Sequence, residues 1–334
     1  MILPSKLQAG DTIAVFSPSS PVTATAGTRY RRGKAYLESK GFFVLEGKLT
    51  GQQDFYRSGS IAARADEMNA LIRNPSVKCL MAAIGGMNSN SILPYLDYEA
   101  LKQAPKMIVG YSDVTALLLG IYAKTGLTTY YGPAVAASFG ELPPYMEHTY
   151  TYFANIAMGN VHVPYVMPTP NAWTEEYIDW ETQKRGKSPH KNELITVRSG
   201  KASGRLLGGN LNTMQGLWNT EYMPEIKVGD ILFIEDGLKD AADIERSFAL
   251  LGVSGVFDRI GGLILGKHER FDDLKTGRRP YEILLEVLGD AHFPILAEFD
   301  CGHTHPMLTL PIGCTAELDA TNQTVALTSA FVAK

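Results

Sequence analysis

Short apolar runs alternate with stretches of helical spacing through the first half of the chain. Thr12-Ile13-Ala14-Val15-Phe16 is one such run, closed by the turn signal Ser17-Pro18-Ser19-Ser20. A helix is expected over roughly Gly27 to Ser39, a strand over Phe42-Phe43-Val44-Leu45, and a second helix over Ile61 to Ile72, where Ala, Met and Leu recur at helical spacing. Cys79 to Ile84 has the pattern of a buried strand ending at Gly85-Gly86. Met107-Ile108-Val109 has the same pattern and ends at Gly110, and a helix follows from Val114 to about Lys124. Strand and helix alternating in this way predict a parallel sheet covered on both faces.

The character changes from Met167 onward. Met167-Pro168-Thr169-Pro170-Asn171-Ala172-Trp173 is rich in turn residues, and the polar stretch after it carries Trp180 and ends in Lys184-Arg185-Gly186-Lys187. This segment has the composition of a connection or a long functional loop. Beyond it, Ile231-Leu232-Phe233-Ile234 is a strand ending at Glu235-Asp236-Gly237, Ile244 to Leu251 is helical, and Ile260 to Leu265 is a strand. Tyr281 to Leu288 is helical, Ile295 to Phe299 leads into Cys301-Gly302-His303, and the C-terminus forms a hairpin around Thr321-Asn322. The expected division is therefore residues 1–166, a connecting loop 167–192, and residues 193–334.

Length and composition narrow the function classes. A chain of 334 residues, 45% hydrophobic and 20% charged, fills two cores and is not globally disordered. Net charge is −4 with no basic stripe, which disfavours a nucleic-acid polymer as partner. The three cysteines include no C-x-x-C pair, so a reducing compartment is expected and a disulfide scaffold is not. The N-terminus lacks the pattern of a signal peptide, and the apolar stretch near Val114 to Ala123 is too short to span a bilayer. The expected location is the cytoplasm, with no membrane partner.

The sharpest chemical signal is Met107-Ile108-Val109-Gly110-Tyr111-Ser112-Asp113, in which a strand ends in Gly-x-Ser and passes at once into a helix. That is the setting of a nucleophile elbow, although Val114 stands where a second glycine would complete the motif. The plainer alternative is that Ser112 or Asp113 caps the helix. The Gly85-Gly86 turn, at a neighbouring strand end, could bring backbone amides beside Ser112 and form an oxyanion hole with the Asp113 amide. A serine nucleophile needs a base. His303 and His305, in Gly302-His303-Thr304-His305-Pro306, are the candidates with a supporting context, glycine beside a histidine suiting an exposed ring at a loop. H-x-H is also a possible metal pair, but no further ligand cluster accompanies it, so no metal is expected. Glu235 has the right setting to hold the imidazole, and Asp236 is not separated from it by pattern.

Gly110-Tyr111-Ser112-Asp113, Ile234-Glu235-Asp236-Gly237 and Gly302-His303-Thr304, in that order, resemble the serine peptidase family of LD-carboxypeptidases and microcin C self-immunity proteins. The resemblance runs from Leu7-Gln8-Ala9-Gly10-Asp11 to Leu310-Pro311-Ile312-Gly313. It implies an α/β fold: an N-terminal parallel-sheet domain bearing the nucleophile, a C-terminal strand-rich α+β domain, and an active site between them. It implies a Ser112–Glu235–His303 triad, no cofactor and a homodimer. Gly86 and Asp113 would supply the oxyanion amides, and Gly85, Met87 and Asn88 would contact substrate. LD-carboxypeptidases usually carry an arginine just after the Gly-Gly turn. Met87-Asn88-Ser89-Asn90 looks instead like the immunity branch, whose members cleave the amide between an aspartyl or peptidyl group and a modified adenosine nucleotide. In that branch an aromatic side chain stacks on adenine. Trp180 is assigned that role, since an exposed tryptophan in a polar loop is a good stacking platform, while Trp173 is expected to anchor the loop. The competing readings are a carboxypeptidase trimming murein tetrapeptide and a binding protein that has lost catalysis.

Overall fold

The computed structural model describes residues 1–333. Strands β1 (Thr12–Phe16), β2 (Phe43–Glu46), β3 (Val77–Ala82), β4 (Met107–Gly110) and β5 (Thr129–Tyr131) lie parallel in the order β5-β4-β3-β1-β2. β1, β3 and β4 are buried almost throughout, as their unbroken apolar runs require of strands covered on both faces. Helices Gly27–Ser39 and Ile61–Arg73 form where their spacing predicts, and Ser60 caps the second by accepting the Ala63 amide at 3.1 Å.

The first region ends in β6 (Tyr165–Val166), and the connecting segment supplies a small ribbon of β7 (Ala172–Trp173) on β8 (His190–Lys191). The second sheet is built from β9 (Ile195–Arg198), β10 (Lys201–Asn210), β11 (Ile231–Glu235), β12 (Gly262–Gly266) and β13 (Ile295–Phe299). β10 to β13 are mutually parallel and β9 closes one edge antiparallel. After β13 the chain forms β14 (Leu310–Ile312) and the terminal hairpin of β15 (Thr315–Asp319) and β16 (Thr324–Leu327).

Two strands cross the division at the connecting loop. β14 leaves the C-terminal half to pair with β5 in the first sheet, and β6 pairs with β16 in the second. The apolar helix Thr115–Thr125 joins the halves. It is buried on nearly every face, and its Thr115 hydroxyl accepts the Asn210 amide at 3.0 Å. The carboxyl ends of β4 and β5 therefore meet those of β10 and β11, which is where ligand crevices form in open α/β sheets. Among the described residues no helix is long and apolar enough to cross a membrane.

Candidate active site

Ser112 sits directly beyond β4, on a short turn (Ser112–Val114) that feeds the helix Thr115–Thr125. Its φ is +60°, in the left-handed region that costs a non-glycine residue energy and that recurs at functional sites. The β4–β5 register places Tyr131 beside Gly110, and the Tyr131 hydroxyl accepts the Ser112 amide at 3.2 Å. That bond removes the serine's own N–H from any oxyanion role. The same hydroxyl donates to Glu235 Oε1 at 2.5 Å.

Glu235 ends β11 and is fully buried. Its register partner on β10 is Asn210, whose amide donates to Oε1 at 3.0 Å. The other oxygen, Oε2, lies 2.8 Å from His303 Nδ1, and His303 Nε2 lies 2.9 Å from Ser112 Oγ. The structure thus brings Ser112, His303 and Glu235 into one hydrogen-bonded chain. Asp236 turns away, accepting from Asn210, the Asn212 amide and its neighbour Gly237.

Burial disfavours a charged imidazole at His303. Glu235, through its charge and its hydrogen bond, outweighs that with help from Glu269 and Asp236, and the pKa rises to about 9. For Glu235, burial pushes the carboxyl upward, but His303, Tyr131 and Asn210 together hold it below its ordinary value. The His303 ring keeps 19% of its side-chain exposure, so it is less open than a glycine-flanked loop position suggested. Gly302 serves a different purpose: any side chain there would overlap the Glu235 carboxylate.

The Gly85-Gly86 turn lies against the serine. A Cβ at Gly85 would sit 3.0 Å from Ser112 Cβ and from the Asp113 nitrogen. Gly86 has a φ of +148°, and any side chain there would collide with Ser19. Both glycines line the cleft that holds Ser112. Asp113 bolts the two turns together, its Oδ2 accepting the Asn88 amide at 3.0 Å and the Ser89 amide at 2.9 Å.

Met87 and Asn88, expected at the substrate, do not line this cleft. Met87 points outward, 77% exposed, beside a smaller adjoining cavity. Asn88 braces the turn: its side-chain oxygen accepts from Ser19 Oγ at 3.0 Å and from Arg64 at 2.8 Å. Residues next to a Gly-Gly turn can face inward or outward, and position in the sequence alone does not separate the two.

The cleft encloses about 330 Å³. The connecting segment supplies part of its wall through Tyr177, Trp180 and Lys187. Thr174 bonds reciprocally with His305 through the backbone, at 2.8 and 3.0 Å, tying this segment to the loop that carries His303. Trp180 lies at the cleft with Arg29 stacked on one face, the guanidinium carbon 4.6 Å from the ring centroid. Trp173 lies away from the cleft, packed against His190 and beneath the Lys267 ammonium. His303 and His305 face different partners, His305 Nε2 being 4.0 Å from Glu141. Among the described residues no three His, Cys, Asp or Glu side chains are grouped so as to hold a metal ion. Tyr131, Asn210, Glu269 and Lys187 had no signal in the sequence pattern. The Gly208-Gly209 pair before Asn210 is the one feature that could have marked a close backbone approach there.

Residues 13–132 match the LD-carboxypeptidase N-terminal domain and residues 203–318 the LD-carboxypeptidase C-terminal domain. The chain belongs to this serine peptidase family. It is 54% identical to a putative carboxypeptidase of Vibrio cholerae, covering 99% of each chain. It is 51% identical to the microcin C7 self-immunity protein MccF of Escherichia coli, over 99% of this chain and 97% of that one. Its fold superposes on MccF in complex with aspartyl sulfamoyl adenosine with a TM-score of 0.97, at 50% identity and full coverage of both chains. An MccF-like protein from Bacillus anthracis superposes with a TM-score of 0.89 at 32% identity, over 98% of this chain and 100% of that one.

Proposed function

We propose that the protein is a serine amidohydrolase that cleaves the amide-like bond between an aspartyl or peptidyl group and a modified adenosine nucleotide. The observation that carries the chemistry is the unbroken chain from Ser112 Oγ through His303 to Glu235. In this reading Ser112 attacks the acyl carbon as His303 Nε2 takes its proton. Glu235 holds the ring in the tautomer that leaves Nε2 free to accept, and it stabilises the imidazolium that forms. The developing oxyanion is met by the amides of Gly86 and Asp113. His303 then returns its proton to the leaving nitrogen, and water repeats the sequence on the acyl-enzyme.

The substrate class is supported by Trp180 at the cleft and by the near-complete match to MccF, whose structures hold aspartyl sulfamoyl adenosine and glutamyl sulfamoyl guanosine. One face of Trp180 is occupied by Arg29, so a base stacks on the other. The site lies between the N-terminal region ending near residue 166 and the C-terminal region beginning near 193, with 167–192 closing over it. Family membership also supports a homodimer, and three free, buried cysteines support a reducing compartment such as the cytoplasm.

A second reading, trimming of murein tetrapeptide, is favoured by relatives named as carboxypeptidases, the Vibrio protein among them. Incubating the purified protein with aspartyl sulfamoyl adenosine and, separately, with a murein tetrapeptide tests both. Release of aspartate from the first alone is expected. Turnover of the tetrapeptide alone moves the carboxypeptidase reading ahead, and turnover of neither leaves a binding protein.

A further inference from the structure

Beside Trp180 the cleft wall backs onto a buried cluster of charges that the triad does not use. Arg29, from the helix Gly27–Ser39, is fully buried and well satisfied. It donates to the carbonyls of Ala136 and Ala137 at 2.9 and 2.8 Å, to Gln183 Oε1 at 2.7 Å and to Glu141 Oε2 at 2.8 Å. Lys187 is different. Its side chain keeps only 6% of its exposure, it lines the cleft, and its ammonium has a single carboxylate neighbour, the same Glu141 Oε2 at 3.3 Å. His305 completes the group. It too lines the cleft and is 7% exposed, its Nδ1 has no protein partner, and burial, with Lys187 nearby, pushes its pKa down to about 3.

Two cations therefore share one directly paired carboxylate, beside a neutral imidazole. A cation held this far from water is unfavourable unless a second anion compensates it, and burial already pulls the Lys187 pKa below its ordinary value. Among the described residues no other carboxylate of the cleft makes a direct ion pair with Lys187. Glu269 approaches Gly237 beside His303 and is felt by both the imidazolium and the Lys187 ammonium, but at longer range than Glu141. Arg270 is a further cation, placed over Tyr177.

We propose that Lys187, backed by His305, is the anion subsite of this cleft and receives the phosphoryl group on the 5′ oxygen of a nucleoside whose base lies on Trp180. This assignment rests on the nucleotide reading above and adds to it the place where the linkage charge is held. Arg29 anchors the site from beneath, fixing Trp180 on one side and Glu141 on the other. Glu141 in turn sets the position of the Lys187 ammonium without neutralising the pair.

Isothermal titration of the intact protein with adenosine, AMP and ribose 5-phosphate tests this. AMP is expected to bind about ten- to a hundred-fold more tightly than adenosine, the worth of a charge-assisted contact, and the preference shrinks in high salt. Lys187→Met should abolish the preference and leave the adenosine Kd within about twofold, whereas Lys187→Arg, which keeps the charge and controls for folding, should retain much of it. Equal affinity of the wild-type protein for AMP and adenosine overturns the subsite while leaving the nucleoside reading intact. A preference that survives in Lys187→Met does the same. If ribose 5-phosphate binds in a Lys187-dependent way and adenosine does not bind, the subsite stands and the nucleoside reading fails. Binding of none of the three ligands ends both.

Discussion

The two walls of the cleft are built on opposite principles. Around Ser112 and Glu235 nearly every polar group has a partner within the protein: Glu235 accepts from Tyr131, Asn210 and His303, and the Ser112 amide is taken by Tyr131. On the Trp180 side the groups are incompletely matched, with Lys187 sharing Glu141 with Arg29 and His305 Nδ1 without a partner. A satisfied network fixes geometry before substrate arrives, which is what a proton-transfer chain needs. An unsatisfied one stores affinity for a ligand that completes it.

The largest effects should come from breaking the satisfied wall. Ser112→Ala and His303→Ala should each lower kcat by about 10³–10⁶-fold, with comparable losses because such residues act as a unit. Circular dichroism and thermal melting should remain close to wild type for Ser112→Ala. Near-normal turnover in Ser112→Ala would end the proposed mechanism. An active His303→Ala beside a dead His305→Ala would move the base to the other wall.

Breaking the Trp180 wall should cost less and cost selectively. If adenine stacks on the free face of Trp180, Trp180→Ala should lower kcat/KM for nucleotide-linked substrates by roughly 5- to 150-fold, and Trp180→Phe should restore part of it. A base-free aspartyl amide should be little affected. Equal loss on both substrates would make Trp180 a loop anchor, a real alternative given its contact with Arg29.

A smaller effect sharpens the contrast from within the satisfied wall. Tyr131→Phe removes one donor from Glu235 and the acceptor of the Ser112 amide. The loss should be roughly tenfold in kcat, the worth of one hydrogen bond to a charged group. The pH profile separates positioning from simple damage. From the histidine alone, kcat/KM would rise near neutrality, but the raised His303 pKa moves that rise toward pH 9. With Tyr131 gone, Glu235 becomes more basic and holds the imidazolium proton more firmly, so the rise should move to still higher pH. A profile unchanged in position, with kcat intact, would remove Tyr131 from this role.

The same contrast explains what was legible in the sequence. Gly110-Tyr111-Ser112, Ile234-Glu235 and Gly302-His303 each stand at or just beyond a strand end, and local pattern finds strand ends. Tyr131 and Asn210 reach the site by cross-strand register, Gly110 opposite Tyr131 and Asn210 opposite Glu235, and no local pattern encodes register between strands so far apart in the chain. β10 escaped notice because its Gly204 and Gly208-Gly209 resemble loop punctuation, although it is central to the second sheet. The charge cluster was hidden for another reason. Arg29, Glu141 and Lys187 look like surface residues in sequence, and only long-range packing buries them together.

The smallest expected effect concerns acid stability, and it uses a buried histidine that belongs to neither wall's chemistry. His268 packs edge-on against Phe248, its Nδ1 lies 3.0 Å from the Gly266 carbonyl, and its Nε2 has no partner. Burial lowers its pKa to about 4, so the folded state holds the ring neutral where the unfolded chain, with an ordinary value near 6.5, takes up a proton. Its contribution to stability is therefore complete above pH 6.5 and is lost as pH falls through 6.5 toward 4. The slope approaches about 1.4 kcal/mol per pH unit within that window. For a chain of this size that corresponds to roughly 1–2 °C in Tm per pH unit. Buried carboxyls whose pKa is raised, such as Glu67 and Asp300, act in the opposite direction, so the wild-type curve alone does not isolate the term. Subtracting the Tm-versus-pH curve of His268→Gln from that of the wild type does. The difference should be flat above pH 7 and should narrow steadily from pH 6.5 to pH 5, because only the wild type pays for protonating this ring. Parallel curves across that range would mean that the His268 ring is solvated enough to titrate normally in the fold.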